Sequence, residues 1–501
     1  MRKLKLHRTT KIVLAIILVI LAVPFSACKI TGPQGRTDST EPDGPNATTK
    51  KPTLNVTPIP DGQIVNLMAT LKAKPDVKAA ETDAARAAIL NDFSVRLIRA
   101  QLAEREKEQK NKSNFLLSPY VMQSVLTMVA NGAAGDTLSE MLAVLAGKSG
   151  EGGESDKVTG DAGSDADKVG KAADATLRAL NELMLGTRRD SEREAQQLFI
   201  NGSIWYRTGA SYFRINPDFL QTNADYFGIP AFGAPFDNAT VKAMNDLIAE
   251  QTKGLIKEII KELKRENCIA LFSTLLFEAK WLNPFGPGYE AENWFTNIDG
   301  KQQTVRVMGS SDEPVFAVKG GEATLRPYAG ENYGMLLILS DEGTLPTDLL
   351  KSWTADDWYT AIIDSQRAAG STQDATIALP AFTFCTELDD MIPVLKAMGM
   401  ELVFDDWVAD LSAMGSAAGP LYVSELKHKA KIIVNEKGTI AAAVGHAMVT
   451  CGSVAPEPTK YLIFDRPFAY AIVDLNTGVP YFVGAMNSID ETPSTSTTDL
   501  S

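Results

Sequence analysis

Histidine and cysteine, two residues that often carry catalysis or bind metals, are scarce in this sequence. Its 501 residues include three histidines and four cysteines. His7 lies in the cationic amino terminus, His446 in a run of small residues, and His428 on a predicted strand with no nucleophile motif nearby. The cysteines show no CxxC spacing, so neither a zinc site nor a disulfide framework is predicted. We expect no metal and no cofactor, and we expect Cys268 and Cys385 to be single buried thiols.

The common sequence motifs of enzymes are missing as well. GxSxG, HExxH, P-loop and dinucleotide-binding fingerprints do not occur in the chain. We therefore do not expect an enzyme. His428 and Trp281 are expected to have structural roles.

An excess of positive charge is also lacking. The chain has 49 Lys and Arg against 62 Asp and Glu, a formal net charge of −13. Removing the five positive charges of residues 1–28 brings the net charge to −18. Because nucleic-acid binding needs a basic footprint, nucleic acid is excluded as a partner. The hydrophobic content of 45% suffices for a large core, and length alone would allow two to four domains.

The amino terminus is typical of an exported protein. A cationic stretch precedes an apolar run over residues 12–25, which is too short for a membrane span and predicts a signal-peptide core. The residues Phe25-Ser26-Ala27-Cys28 are similar to a bacterial lipobox with Phe in place of the usual Leu. We therefore predict a signal peptide over residues 1–28 and a lipid anchor at Cys28, which implies a membrane partner and an extracellular or cell-envelope location. Secretion as a free protein and an uncleaved signal anchor are the alternatives.

Composition divides the rest of the chain into a folded body and flexible segments. Residues 29–78 are predicted to be a flexible linker, residues 148–174 a disordered insertion, and residues 489–501 a disordered tail. Between these segments, helical patterns alternate with short β-branched and aromatic runs. Residues 79–488 are therefore predicted to form one α+β domain.

The most informative segment is residues 435–458. Its odd positions from Thr439 to Cys451 carry mostly small side chains, and its even positions from Ile440 to Met448 carry most of the bulk. Alternate side chains of a strand point to opposite faces, so this segment is able to enter a β-sheet. Glycine and alanine are weak strand formers, and Gly438 gives the chain a point at which to swing. A small-residue loop is the alternative interpretation.

Residues 423–439, with the sequence VSELKHKAKIIVNEKGT, resemble the signature of the serpins. Serpins are inhibitors that trap a serine protease by inserting a cut loop into a central sheet. Other serpin-like motifs follow in the family's order over roughly residues 80–490, so the resemblance covers the folded body. They are NFLLSP from Asn114, NGAAGDT from Asn131, IW from Ile204, TKGLIKEII from Thr252, FEAKWLNPF from Phe277, PAFTF from Pro380, FDRPF from Phe464 and GAMN from Gly484.

The resemblance implies a serpin fold of the α+β class, with helices packed on three β-sheets and an exposed reactive-centre loop. It also implies a monomer that inhibits serine-type endopeptidases as a suicide substrate. A serpin-fold binding protein that is merely cleaved, or an inhibitor of cysteine proteases, are the alternatives. Small residues at the hinge favour inhibition, because an inserting strand must fit an already packed sheet. The hinge residues are Glu436, Gly438, Thr439, Ala441, Ala442 and Ala443.

Family spacing from Glu436 places the reactive bond at Gly452–Ser453. The bonds Cys451–Gly452 and Thr450–Cys451 are the alternatives. A small or uncharged residue before the bond predicts a protease of elastase-like or subtilisin-like preference. A trypsin-like target is not expected, because the nearby basic residue, Lys460, lies beyond the loop.

The family's sheet-opening region matches Ser118, Ser273 and His428, with Trp281 near the top of the central sheet. The family usually has Ser at the position of Val121 and Asn at the position of Ser273. His428 therefore has fewer obvious partners than in the family. A buried polar group without partners costs about 1–3 kcal/mol, so we expect a rewired network or a bridging water.

Overall fold

Helices and three β-sheets make up the part of the chain that the computed structural model describes. This part comprises residues 62–80, 84–147, 162–192, 197–208, 214–264, 266–286, 291–368, 374–386, 389–417, 421–439 and 460–489. The helices are α1 (Ala84–Lys107), α2 (Pro119–Ala130), α3 (Gly135–Leu145), α4 (Ala162–Glu192), α5 (Pro217–Tyr226), α6 (Asn238–Gln251), α7 (Pro346–Ser352), α8 (Ala355–Ala368) and α9 (Ile392–Ala397).

The strands lie between these helices and after them. They are β1 (Val65–Asn66), β2 (Phe115–Leu117), β3 (Gln197–Arg207), β4 (Arg214–Ile215), β5 (Ala231–Ala234), β6 (Ile269–Lys280), β7 (Ala291–Thr296), β8 (Gln302–Val318), β9 (Gly321–Pro327), β10 (Tyr333–Ser340), β11 (Asp374–Pro380), β12 (Phe382–Cys385), β13 (Asp389–Asp390), β14 (Gly415–Ser416), β15 (Val423–Asn435), β16 (Gly438–Thr439), β17 (Lys460–Ile463), β18 (Phe468–Asp474) and β19 (Pro480–Met486).

The central sheet carries the segment singled out in the sequence. Its strand order is β1-β5-β3-β6-β16-β15-β12, and β13 pairs with β15. Strands β6 and β15 are parallel neighbours, so their carboxyl ends lie at the same edge of the sheet. Register pairs Ser273 of β6 with His428 of β15, and the ladder between these two strands ends at Leu275 and Ala430.

The second large sheet has the order β17-β11-β8-β9-β10-β18-β19-β2, with β7 paired to β8. The long strand β8 joins its two halves: β7 and β11 pair with its first part, and β9 pairs with its last four residues. Strands β4 and β14 form a two-stranded third sheet. The predicted α+β class, with helices on three β-sheets, is confirmed.

Both faces of the central sheet are covered. On one face lies α2, in which all residues from Pro119 to Ala130 are buried. On the other face, Met244 and Ile248 of α6 pack over Trp205 and Phe272 of the sheet. We call α6 together with residues 252–264 the strap, because this segment returns across the sheet from α6 to β6.

The side chain of Asn245 fixes the shape of the strap. Its Oδ1 accepts hydrogen bonds from the backbone N–H groups of Ile259 (2.8 Å) and Ile260 (3.1 Å). Its Nδ2 donates to the carbonyl oxygen of Ile260 at 2.8 Å. At the sheet, Lys429 of β15 donates from Nζ to the carbonyl oxygen of Glu258 at 2.9 Å. The strap therefore contacts the strand that borders the hinge.

The prediction of a disordered insertion over residues 148–174 is wrong for residues 162–174, which begin α4. The Gly, Ser, Asp and Lys content suggested disorder. The alanines among these residues are strong helix formers, and the helix continues into Ala173 and Leu177, which pack against the main core. Residues 148–161 lie outside the described part.

The predicted linker and tail also differ from the structure at their inner ends. In the 29–78 segment, Val65 and Asn66 pair with β5, and the N–H of Lys74 donates to Asp225 Oδ1 at 2.9 Å. In the 489–501 segment, Ile489 is buried and its N–H donates to Asn297 Oδ1 at 3.0 Å. These few contacts are specific side-chain and edge-strand interactions that composition does not reveal. Residues 29–61 and 490–501 lie outside the described part.

The predicted signal peptide, residues 1–28 with Cys28, also lies outside the described residues. Among the residues that are described, no helix combines the length and apolar character needed to cross a bilayer.

Candidate functional site

The hinge lies between the two parallel strands of the central sheet. Beyond the last β6–β15 pair, β16 enters between them and pairs antiparallel with both. Gly438 lies opposite Lys280 and Asn435, and Thr439 lies opposite Ala279 and Val434. Two residues at the start of the predicted loop are therefore already paired within the sheet.

A tight turn directs the chain back into the sheet. The Oδ1 atom of Asn435 accepts hydrogen bonds from the N–H groups of Lys437 (2.9 Å) and Gly438 (3.2 Å). Glycine is required at 438 because a Cβ there would lie 2.1 Å from the carbonyl oxygen of Ala279. Asn435 and Gly438 thus set the direction and the register in which the loop enters.

Thr439 is anchored by a buried hydroxyl pair. Its side chain is 1% exposed, and its Oγ1 lies 2.6 Å from the hydroxyl of Tyr328 at the end of β9. Burial raises the pKa of Tyr328, so this phenol stays neutral. Each hydroxyl satisfies the other, which removes the cost of burying either alone.

Trp281 holds the base of the loop from the other side. Its indole Nε1 donates to the carbonyl oxygen of Asn435 at 2.8 Å. Its backbone N–H donates to the carbonyl oxygen of Lys437 at 2.9 Å. The backbone N–H of Phe285 donates to the carbonyl oxygen of Glu436 at 3.0 Å. The indole stacks on the ring of Tyr328, with ring centroids 4.5 Å apart. Trp281 therefore links the loop turn to the residue that anchors Thr439.

A buried ion pair supports this aromatic group. The guanidinium of Arg326 lies 3.9 Å from the ring centroid of Phe285, pairs with the carboxylate of Glu313, and donates to the carbonyl oxygen of Asn283. Burial lowers the pKa of Arg326, and the charge of Glu313 opposes that shift. The pair thus ties the second sheet to the segment that binds the loop turn.

Glu436 makes a more exposed contact. Its Oε1 lies 2.5 Å from Arg306 Nη1 on β8, and the Arg306 side chain is about half exposed. Surface ion pairs of this kind contribute roughly 0–1 kcal/mol. The backbone contacts of the turn therefore matter more to the hinge than this pair.

His428 bridges β6, β15 and α2 below the hinge. The backbone N–H of Ser118 donates to His428 Nε2 at 3.2 Å, and Ser273 Oγ lies 2.9 Å from Nδ1. Because a backbone N–H only donates, Nε2 is the acceptor, so Nδ1 carries the proton and donates to Ser273. Burial lowers the pKa of His428 to about 4, so the ring is neutral at pH 7.

The network around His428 differs from the family pattern in a simple way. Ser118 Oγ accepts from the N–H of Val121 at 3.5 Å and caps α2, while the Val121 side chain is fully buried. The Ser118 backbone, rather than a second side chain, therefore completes the hydrogen bonding of His428. The His428–Ser273 bond spans the two strands that must part if a third strand enters between them.

The structure gathers the predicted site residues into two groups. Ser118, Ser273 and His428 meet in the middle of the sheet, whereas Trp281, Glu436, Gly438 and Thr439 meet at its carboxyl edge. Residues 440–459, with Ala441, Ala442, Ala443, Thr450, Cys451, Gly452 and Ser453, lie outside the described part. Sequence reasoning missed Tyr328 and Arg326, because a lone polar or aromatic residue on a strand gives no signal of a partner far away in sequence. It also missed Asn435, although an Asn followed three residues later by a Gly is a local turn signal.

The remaining polar chemistry of the described residues points to no other site. No cluster of three or more His, Cys, Asp or Glu side chains suited to a metal occurs among them. Cys268 and Cys385 are free and half-buried, and burial raises the pKa of both thiols. A raised pKa leaves little thiolate at neutral pH, so these cysteines are poor nucleophiles.

Acid is expected to destabilise the protein through His428. Its folded-state pKa of about 4 lies below the ordinary histidine value of 6.5, so the unfolded chain binds the proton first as the pH falls. The stabilisation from the neutral, buried His428 is fully present above pH 6.5. As the pH falls from 6.5 to 4, the free energy of unfolding decreases by about 1.4 kcal/mol per pH unit. Urea unfolding of the wild type and His428→Gln between about pH 7 and pH 5 measures this. If the free energy of unfolding fell equally steeply with pH in the two proteins, the role of His428 would be contradicted.

Gly438→Ala is expected to expel β16 from the sheet, because the added Cβ would overlap the carbonyl oxygen of Ala279. Hydrogen exchange at Thr439 should then become at least about tenfold faster, as for a backbone that leaves a buried ladder. Lys437→Ala is the matched control, since it leaves the backbone bonds of the same turn in place. Slow exchange at Thr439 in Gly438→Ala would show that the fit of this glycine does not hold the hinge.

Comparison with known proteins agrees with this geometry. The serpin (serine protease inhibitor) family model matches residues 88–489. Alpha-1-antitrypsin 1-4 of Mus musculus is 26% identical over 411 residues, covering 79% of this chain and 87% of that protein. Putative serpin-Z6C of Oryza sativa subsp. japonica is 27% identical over 436 residues, covering 81% and 98%. The thermophilic serpin Tengpin in its native state is 28% identical with a TM-score of 0.72, covering 85% of this chain and 100% of that one. The chain belongs to the serpin family, whose members are mostly serine protease inhibitors rather than enzymes.

Proposed function

We propose that this chain inhibits serine proteases as a suicide substrate, with residues 440–459 as the bait. The observation that carries the proposal is β16: Gly438 and Thr439 already lie between β6 and β15. A loop that starts inside the sheet has a direct path along which the rest of it enters after cleavage.

The register of β16 predicts where each following residue would go. Continued antiparallel to β6 and β15, residue 441 would lie between Phe277 and Ile432. Residue 445 would lie between Ser273 and His428, which pair with each other now. Thr439 faces the α2 side, as do Ala279 and Val434, so residues 441, 443 and 445 would face it too. These residues are Ala, Ala and Gly, which fit a packed interior.

Gly445 is the residue that would meet the His428 network. Parting the strands to admit a third one moves β6 and β15 from about 4.8 Å to about 9.6 Å apart, which breaks the His428–Ser273 bond. A glycine at this level brings no side chain into the space of the imidazole. The loop sequence therefore suits insertion at the level of His428.

The proposed chemistry is that of an interrupted acyl transfer. The protease serine hydroxyl adds to the carbonyl carbon of Gly452, and the bond to the Ser453 nitrogen breaks as that nitrogen takes up the proton. Gly452 is left as an ester of the protease. Insertion of the freed loop then carries the esterified protease along the sheet before water completes hydrolysis. Cys451–Gly452 and Thr450–Cys451 are the alternative bonds.

The proposed target is a protease of elastase-like or subtilisin-like preference. The residues before the candidate bonds are glycine, cysteine and threonine, all small and uncharged. Such residues fit narrow or apolar specificity pockets. In a pocket with a buried carboxylate, they would leave that carboxylate without a basic partner.

When the protein comprising residues 29–501 is mixed with subtilisin or an elastase, we expect a covalent complex that survives denaturation. The peptide released should begin at Ser453. Thr439→Arg should abolish the complex while leaving cleavage intact, because a bulky cation cannot occupy the site beside Tyr328. Denaturing gels with mass spectrometry of the released peptide measure both.

Thr439→Ser is the matched control, since it keeps the hydroxyl that pairs with Tyr328. It should form the complex as the wild type does. Complex formation by both Thr439→Arg and Ala441→Pro would exclude insertion through this hinge. Cleavage of the wild type without any covalent product would make the protein a substrate and end the proposal.

We further propose that the inhibitor is held at the cell envelope by a lipid on Cys28. The support is the sequence alone: a cationic start, an apolar run and the residues Phe25-Ser26-Ala27 before the cysteine. Residues 29–61 would then separate the anchor from the folded body.

In a bacterial host, the full chain should incorporate labelled fatty acid and sediment with membranes. Cys28→Ser should lose the label, because the thiol to be acylated is gone. Cys268→Ser, which changes a half-buried thiol in the folded body, should keep the label. Labelling of Cys28→Ser, or release of the wild type into the medium, would contradict the lipid anchor.

A further inference from the structure

The strand directions fix where an inserted loop would end. β16 enters at the carboxyl ends of β6 and β15 and runs antiparallel to β6, so a longer strand would run towards Ile269. From Ala279 to Ile269 is ten residues, or about 34 Å at roughly 3.4 Å per residue. Gly452 would lie three residues, or about 10 Å, beyond Ile269. The end of the sheet opposite the hinge would therefore receive the esterified bond.

The starts of the two strands are joined at that end. The hydroxyl of Tyr422, just before β15, donates to the carbonyl oxygen of Glu266, just before β6, at 2.8 Å. Burial raises the pKa of Tyr422, and the nearby Cys268, Asp406 and Glu266 add to the rise. The 3₁₀ helix Leu402–Phe404 packs against β15 and leads directly into the turn formed by residues 405–408, which contains Asp406.

This turn presents an unusual apolar surface, which we call the Trp407 turn. Trp407 is 85% exposed and Val408 is 55% exposed, and within the described ranges no other large hydrophobic residue is as exposed as Trp407. The exposure does not come from a loose backbone. Asp405 Oδ1 accepts from the N–H groups of Trp407 (2.8 Å) and Val408 (3.2 Å).

The body of the protein also holds the chain directly after the Trp407 turn, at Asp410. The N–H of Asp410 donates to Thr137 Oγ1 at 3.0 Å, and its carbonyl oxygen accepts from the N–H of Ala134 at 2.9 Å. A rigid turn that projects an indole into water is typical of a binding surface, since such an anchor loses little conformational entropy on contact.

We infer that the Trp407 turn is the surface on which the trapped protease rests after the loop has inserted. This inference rests on the proposed function. The length of chain between Thr439 and Gly452 brings the protease to the end of the sheet where this turn lies. Asp405 and Asp406 beside the indole disfavour an anionic membrane surface as the occupant and suit the basic groups of a protein.

The inference predicts a specific effect of Trp407→Ala on the covalent complex. Association should be unchanged, because the bait follows Thr439, which lies at the other end of the sheet. Release of active protease from the complex with subtilisin should be about tenfold faster, as is usual when a central interface tryptophan is truncated. Thermal stability of the free protein should not change, since the side chain is 85% exposed.

Trp294→Ala is the matched control. Trp294 is 58% exposed and lies on β7, which pairs with the part of β8 that reaches Glu436 at the hinge end. Its truncation should leave release unchanged. Equal release rates for the wild type and Trp407→Ala, or faster release in both variants, would overturn the inference.

Hydroxyl-radical footprinting separates contact from a change in the inhibitor itself. Trp407 should be protected in the covalent complex and reactive in the free protein. It should also stay reactive after cleavage by a metalloprotease, which forms no acyl intermediate. Protection in that cut form, or concentration-dependent protection of the free protein by a second copy, would overturn the inference. Failure of the wild type to form any complex would instead count against the proposed function.

Discussion

Neighbouring strands of a sheet lie about 4.8 Å apart, so β6 and β15 cannot pair with each other and hold a third strand at the same level. The central sheet is therefore divided. Up to Leu275 and Ala430 the two strands pair directly, and from Ala279 and Val434 onward Thr439 and Gly438 lie between them. The position of this division decides how much of the loop is inside the sheet.

Two polar pairs mark the two sides of this division. The Thr439–Tyr328 pair lies where β16 separates β6 from β15, which we call the inserted side. The His428–Ser273 pair lies where β6 and β15 pair directly, which we call the closed side. Each hydrogen bond contributes about 0.5–1.5 kcal/mol, which is small beside the backbone bonds that a longer inserted strand would gain on both edges. The closed side must open before those gains are made. In the proposed insertion, the His428 pair would therefore affect the barrier more than the final free-energy difference.

Local pattern in the sequence was sufficient to place this strand but not its partners. The serpin-like residues that end at Gly438 and Thr439 pointed to the place in the chain where β16 lies. Tyr328 is 111 positions away from Thr439, and Ser118 is 310 positions away from His428. Contacts of that kind depend on how the sheets stack, which no local pattern encodes. Local composition also failed at residues 162–174, where Gly, Ser and Asp content was weighed above helix propensity.

The buried Arg326–Glu313 pair shows what the loop base requires. A buried ion pair seldom stabilises a protein more than apolar packing would, so we expect this pair to position its neighbours rather than add stability. It fixes the segment from Trp281 to Phe285, whose N–H groups bind the carbonyl oxygens of Lys437 and Glu436. With the turn fixed, the loop has one register. A slip of one residue would turn Ile440, instead of Ala441, towards α2. This distant pair therefore decides which residues of an inserting loop would face α2.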